Sequence, residues 1–479
     1  EKPSSVEGFA ETGAGSERIV AANVSSRTGM DLVALDRAGN SLAVLEGGYA
    51  AKGGDAALAA YDVAGTPVAA IPMRLNPDAI DDLVIVTAES AVPVVMNSAK
   101  LRAAFTVVNT NDSGAGSLRD AITQANMLAG ADTIDFNIPG VGPHTISTLS
   151  ALPVISETLD IDGATEPDFA GTPVVVINGS GAGTVHGIDT LSTSGVKIRG
   201  LVIRNFGGGA GILVNASTSA VIEGCYIGTT VTGTVAAANL GGISVSNAGM
   251  TTIGGTTASA RNVISGNSNN GIAIFFSGND LIQGNYIGVT AAGNAPLGNG
   301  FNGVEINDST LTFVGNGVAG ATNVISANTA GGGLSNGVYV HGGMSGMNAV
   351  QGNIIGLASN GTTVLGNGAN GVLDDASTTL VGGPTSQTRN IISGNLESGI
   401  RVESQAFNAT IWGNYIGLDV NGTLDRGNGN DGVWLAGGGL GTVGGFMPSD
   451  GNVISGNQFS GVQVSGGFSQ LVAGNKIGV

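Results

Sequence analysis

The phrase Asn-Val-Ile-Ser-Gly-Asn occurs four times with little change, starting at Asn262, Asn323, Asn390 and Asn452. The third copy has Ile391 in place of valine, and the second has Ala327 in place of glycine. A sister phrase follows each copy. It reads Gly-Asn-Tyr-Ile-Gly at Gly284–Gly288 and Gly413–Gly417, and appears in variant form at Gly352–Gly356 and Gly474–Gly478. A fixed repeat of this length means that the chain stacks copies of one supersecondary unit, each covering the apolar face of the next.

Each unit holds two coils. In one, Asn262-Val-Ile-Ser leads to Gly271-Ile-Ala-Ile and Leu281-Ile-Gln; in the next, Asn285-Tyr-Ile-Gly leads to Gly303-Val-Glu-Ile and Phe313-Val-Gly. Three short strands per coil, turned by Gly and Asn, predict a three-sided solenoid whose coils lie about 4.8 Å apart. The second coil carries an extra loop, at residues 229–240, 290–300, 358–369 and 419–430, so these loops should line one edge. The asparagine that opens each coil falls in one column: Asn262, Asn285, Asn323, Asn353, Asn390, Asn414, Asn452 and Asn475. Stacked amides can hydrogen-bond along the axis and to the turn backbone, so a structural ladder is expected rather than catalysis. Gly200 and Cys225 take this place in the first two coils, and Cys225 reads as a small buried ladder residue.

Composition agrees with a β-rich protein. Glycine is abundant at 83 of 479 residues without a Gly-X-Y period, which excludes collagen. Seventeen Lys and Arg against 35 Asp and Glu leave a net charge of −18, so there is no electrostatic footprint for nucleic acid or an anionic membrane. No apolar run is long enough to span a bilayer, so membrane insertion is not expected. One cysteine rules out a disulfide framework within the chain. The chain starts at Glu1 and breaks off inside a repeat at Val479, which suggests a processed or excerpted sequence.

Two further regions precede the repeats. Residues 1–100 contain Met30-Asp-Leu-Val-Ala-Leu and Asp81-Asp-Leu-Val-Ile-Val, with Asp-Leu-Val recurring 51 residues apart. This resembles the FG-GAP/VCBS type of propeller repeat, which implies a propeller remnant or a small β domain. The family's calcium loop is degenerate here, at Asn23-Val-Ser-Ser-Arg-Thr-Gly and Asn76-Pro-Asp-Ala-Ile-Asp. No cofactor is therefore expected, and calcium is the one weak exception. In residues 101–195, Ser117 suits a helix N-cap, and Leu118, Ala121, Ile122 and Ala125 share one face of the helix that follows. This helix and the strands after it resemble the opening of bacterial secreted or surface right-handed parallel β-helix proteins, in which a short amphipathic helix plugs the first coil. The resemblance covers residues 101–479. The expected fold is all-β: a right-handed three-sided parallel β-helix with a short capping helix, preceded by a small β domain or propeller remnant. Its three parts are residues 1–100, the opening coils and cap at 101–195, and the repeated two-coil units at 196–479.

Parallel β-helices often host polysaccharide lyases and hydrolases, which need clustered carboxylates or an acid–base pair. The outward column of the middle strand runs Leu213, Ser244, Ala273, Glu305, Tyr339, Leu373, Arg401, Trp434 and Gln463, with a single carboxylate. Asp374-Asp375 is the only acidic pair in the repeats, and His144, His186 and His341 show no metal-ligand spacing. Asp419–Asp425 fails the calcium-loop pattern, and Gly207–Gly211 lacks the context of a phosphate cradle. These observations lead to the expectation of a non-catalytic extracellular or cell-surface scaffold, structural or adhesive, such as a fibre or stalk subunit. Its partners would be copies of itself or neighbouring domains of a longer chain. The alternative is a polysaccharide-binding or polysaccharide-degrading protein, a lyase or glycoside hydrolase if an enzyme. It would use Glu305, Tyr339, Arg401 and Trp434, because exposed aromatics on a rigid sheet can stack on sugar rings.

Overall fold

The computed structural model describes residues 16–24, 30–45, 58–75, 81–96, 103–128, 130–329 and 335–479. The chain divides into two compact units, residues 1–103 with 125–132, and residues 104–124 with 133–479.

In the first unit, an antiparallel four-stranded sheet runs Ser16–Ala22, Asp31–Asp36, Ser41–Leu45 and Leu58–Asp62, and a three-stranded sheet runs Pro67–Met73, Asp82–Thr87 and Val94–Met96. Val33, Leu35, Leu42, Val44, Leu83 and Ile85 form its core. The two Asp-Leu-Val segments open equivalent strands for the same reason. Buried Asp31 accepts from the Val24 amide and buried Asp82 from the Leu75 amide, both at 2.9 Å, so each aspartate closes a loop of the same length. Residues 25–29 and 76–80, the centres of the two degenerate calcium loops, lie outside the described residues.

The second unit is a parallel β-solenoid. Three sheets of 12, 13 and 10 strands form its sides, and successive strands within each sheet come from successive coils. The first face runs from His144–Ser147 to Lys476–Ile477, the second from Ala104–Val107 to Leu471–Ala473, and the third from Ile188–Leu191 to Val462–Val464. The Val-Ile of each repeat phrase is a two-residue strand of the first face, so its isoleucine points inward in every coil. Ile227, Ile264, Ile287, Ile325, Ile355, Ile392, Ile416 and Ile454 are all fully buried, a continuous aliphatic column. The last glycine of Gly-Asn-Tyr-Ile-Gly is required by space as well as conformation. Gly288 has φ +84°, and a Cβ there would lie 2.1 Å from the Ser326 carbonyl of the next coil.

The corners are satisfied by amides. Along the predicted column, each Nδ2 donates to the Oδ1 of the next asparagine, from Asn262 to Asn475, at 2.8–3.1 Å. Asn262 also accepts from the Cys225 amide at 2.9 Å. A second ladder, not read from the sequence, runs Asn239, Asn267, Asn299, Asn328, Asn367, Asn395, Asn428 and Asn457. Its members include the closing asparagine of each repeat phrase. The extra loops of alternate coils join in register: Ala291 donates to Gly233, Ser359 to Gly293 and Val420 to Gly361 at 2.8–2.9 Å.

The helix Leu118–Ala125 begins as the sequence reads, with Ser117 Oγ accepting from the Asp120 amide at 3.2 Å and Leu118, Ala121 and Ile122 buried. Arg119 fixes it to the loop beyond, pairing with Asp112 at 2.8 Å and donating to the Ser150 and Ala151 carbonyls. Among the described residues no helix is long and apolar enough to cross a membrane.

Candidate functional site

The third face carries the candidate site. Its strands there are Ile272–Phe275, Val304–Asn307, Val338–Gly346, Val372–Ser377, Ile400–Val402 and Val433–Leu435. Side chains alternate in and out, so two outward columns run side by side. The first is the column read from the sequence, with Glu305 beside Tyr339, Tyr339 beside Leu373, Leu373 beside Arg401, and Arg401 beside Trp434. The second, two residues further along each strand, holds Asn307, His341 and Asp375 in neighbouring coils. Glu403 follows Val402, the residue paired with Asp374.

The second column changes the chemistry of the face. His341 Nε2 and Glu305 Oε1 lie 2.8 Å apart, and both side chains are largely covered. Glu305 is held from its other oxygen by the Asn270 amide. With Nε2 as the donor, Nδ1 of His341 is the acceptor, so the carboxylate sets the tautomer. The Tyr339 ring stacks on His341 at 4.1 Å with planes 8° apart, which fixes both rings. Burial first, and then the negative charges of Asp375, Glu305 and Glu403, push the Tyr339 phenol above its ordinary range. At neutral pH the phenol therefore keeps its proton. Just after His341 the strand bulges, with a register shift before Gly346. Gly342 allows this with φ +95°, where a Cβ would come within 2.5 Å of Asn307 Oδ1. Bulges of this kind re-aim side chains.

Two coils further on, the Arg401 guanidinium lies 4.2 Å from the Trp434 ring centroid. Arg401 also pairs with Glu403 at 2.5 Å, and Trp434 Nε1 donates to Ser465 Oγ at 2.7 Å. The result is a flat, fixed cation–π platform. Glu305, Tyr339, Arg401 and Trp434 thus fall into two pairs separated by Leu373. His341, Asp375, Glu403 and Asn270 join them and were missed, because only one outward column was followed. The signal was present: with a strand period of two, the residue two beyond Tyr339 must share its face.

Asp374 is not part of the surface. It points inward in the column Ile306, Val340, Asp374, Val402, Leu435 and is 1% exposed. Oδ1 accepts from Thr379 Oγ1 at 2.7 Å and from the Ala376 amide at 3.3 Å, while Oδ2 has no partner among the described residues. Burial pushes this carboxyl up to about 7. Cys225 is fully buried and its thiol is pushed up to about 12 by burial, so it is no nucleophile at neutral pH. Trp412 sits on the second face, away from this cluster.

No protein-family model matches the chain, and no curated protein matches it. Among solved structures it is similar to the A-module of the mannuronan C-5 epimerase AlgE6 of Azotobacter vinelandii. The TM-score is 0.48 at 16% identity, covering 78% of this chain and 99% of that one. It is also similar to the periplasmic alginate epimerase AlgG, with TM-score 0.40, 14% identity, and 73% and 75% covered. A third likeness is to an alginate lyase from a Paenibacillus species, with TM-score 0.27, 12% identity, and 78% and 99% covered. What the likenesses share is the parallel β-solenoid winding. These three are named as polysaccharide epimerases and a lyase, not as adhesive or fibre-forming proteins, so the expectation of a non-catalytic adhesive or fibre-forming scaffold is withdrawn. The physical reason for the error is the unread second column, which held the imidazole and carboxylates that seemed to be missing.

Proposed function

We propose that the chain is a polysaccharide-processing protein whose third face binds a sugar polymer along the solenoid axis and transfers protons to and from it. The observation that carries this reading is the Glu305–His341 dyad, 2.8 Å apart and capped by the stacked, protonated Tyr339. An oriented imidazole whose Nδ1 is the acceptor can serve as a general base, and a phenol kept protonated beside it as a general acid. The Arg401–Trp434 stack, two coils away, offers a platform for a neighbouring sugar ring and a cation for a sugar carboxylate.

The reaction class that suits these groups is proton abstraction next to a uronate carboxyl. His341 takes the proton from the carbon beside the carboxyl, the bond from the ring to the glycosidic oxygen breaks, and Tyr339 gives its proton to the departing oxygen. A chain cleaved in this way ends in an unsaturated sugar. A second reading rests on Asp375 and Glu403, acidic residues from neighbouring coils, which would suit hydrolysis instead. An exported location accords with either polymer substrate.

Incubation with a panel of polyuronates and neutral glucans separates the readings. Elimination gives ultraviolet absorbance together with new chain ends, whereas hydrolysis gives reducing ends without absorbance. His341→Ala should slow elimination by about 10²–10⁴-fold, the usual contribution of a general base. Trp434→Ala should mainly raise KM. A protein that neither binds nor alters any polymer in the panel, or a His341→Ala variant working at the full rate, would refute the proposal.

Within the same reading, residues 1–100 form a separate β domain. The matched loop closures by Asp31 and Asp82 support two blades of FG-GAP/VCBS type there. Residues 101–195 are the opening coils with their cap, and residues 196–479 are the repeated units that carry the site.

A further inference from the structure

The opening coils hold a second cluster that polysaccharide chemistry on the third face does not use. His144 starts the first strand of the first face, His144–Ser147, and is 6% exposed. Its Nε2 is buried and has no hydrogen-bond partner among the described residues. Glu166 Oε1 and Asp168 Oδ1 each lie 3.6 Å from that nitrogen. The Asp168 oxygen is likewise buried and, among the described residues, without a hydrogen-bond partner. The three atoms lie within 4.8 Å of one another.

The opposite oxygens of the two carboxylates are occupied. Glu166 Oε2 accepts from the Ile138 amide at 3.0 Å, and Asp168 Oδ2 from the Gly142 amide at 2.5 Å. Backbone donors therefore turn one oxygen of each carboxylate towards the same point as His144 Nε2. Separations of 3.6 Å are too long for hydrogen bonds between these atoms. They are close to the edge of a tetrahedron around a metal ion, about 3.4 Å for bonds of about 2.1 Å. Holding ligating carboxylates by hydrogen bonds to their second oxygens is how such sites are kept in shape.

We propose that His144, Glu166 and Asp168 bind one divalent transition-metal ion of zinc type. Two carboxylates balance its charge, and the imidazole nitrogen selects it over calcium and magnesium, which prefer oxygen ligands. A cleft lined by Asn109, Asn111, Ile138, Pro139 and Pro143 opens beside His144 and gives a water or an outside ligand access to a fourth position. The ion would tie residues 138–144 to the turn at 163–169, locking the first coil. This site stands apart from the third face, so neither proposal depends on the other.

The test is a titration of chelator-treated full-length protein with Zn²⁺ by calorimetry, repeated with Co²⁺ by visible spectroscopy. The expected result is one saturable equivalent, Co²⁺ bands of a low-coordinate site, and a rise in melting temperature with Zn²⁺. His144→Gln and Asp168→Asn should each weaken binding by more than about a hundredfold, beyond the loss usual for residues that only support a ligand. The wild-type titration decides the matter even if a variant fails to fold. Absence of stoichiometric Zn²⁺ binding, binding unchanged in the two variants, or displacement of Zn²⁺ by equimolar Ca²⁺ would overturn the proposal.

Discussion

Replacing Asp374 with asparagine should stabilise this protein, and the gain should grow with pH. The aspartate interrupts an aliphatic column inside the solenoid, and burial lifts its carboxyl to about 7 from an ordinary 3.8. A folded-state value above the unfolded one means that the native state holds the proton more tightly. The native state is therefore unpenalised below the unfolded value, and stability is lost as pH rises through the window from 3.8 to about 7. At about 1.36 kcal/mol per pH unit, that window corresponds to about 4 kcal/mol lost by the time the group is ionised. Asparagine keeps the oxygen that accepts from Thr379 and Ala376. It puts a neutral amide where Oδ2 now stands without a partner among the described residues. It therefore mimics the protonated acid at every pH. Urea unfolding of both proteins between pH 4 and pH 8 gives the comparison, since all other titrating groups cancel in the difference. The variant's advantage should be near zero at pH 4, rise through pH 5 and 6, and level off at about 4 kcal/mol near pH 8. An advantage that is constant with pH, or greatest in acid, would refute the reasoning.

Two further outcomes follow from the interior. Asn353→Ala removes an amide that donates to Val314 at 2.7 Å and to Asn390 at 3.0 Å and that accepts from Asn323 at 2.9 Å. Stranding these buried partners should cost about 2–4 kcal/mol in denaturant unfolding, and a loss below about 0.5 kcal/mol would show that the ladder is dispensable. Cys225, fully buried with its thiol raised to about 12, should resist an aromatic disulfide reagent in the native protein and react only at the rate of unfolding. Prompt labelling under native conditions would contradict this burial.

The fold was legible because a solenoid writes its geometry into its period. Once Asn262 and Asn323 are aligned, the inward isoleucines, the turn glycines and one asparagine ladder follow from register alone. The second ladder was equally visible at Asn267, Asn328, Asn395 and Asn457, but only the opening asparagine of each phrase was tracked. The candidate site was legible in half. Glu305, Tyr339, Arg401 and Trp434 stand in one column, and their partner His341 was set aside as an isolated histidine because sequence spacing was sought instead of spatial register. Asp374 shows a different limit. Alternation puts it inside, against the expectation that a carboxylate faces water, and only its contact with Thr379 explains how it is accommodated. The cluster of His144, Glu166 and Asp168 lies in the irregular opening coils, where no repeat exists to supply a register.

The coil-to-coil bonding of the interior also sets how the chain can change. Its inner residues are copied from unit to unit, while the third-face residues are individual: Glu305 comes from the unit that starts at Asn262, Tyr339 and His341 from the next, and Arg401 and Trp434 from the one after. Gaining or losing a whole unit outside this span would lengthen or shorten the molecule and leave the face intact. The same event within it would preserve the ladders and the core but part the imidazole from its platform. Repeat number can thus change outside the three central units without touching this face, whereas any change within them rearranges it.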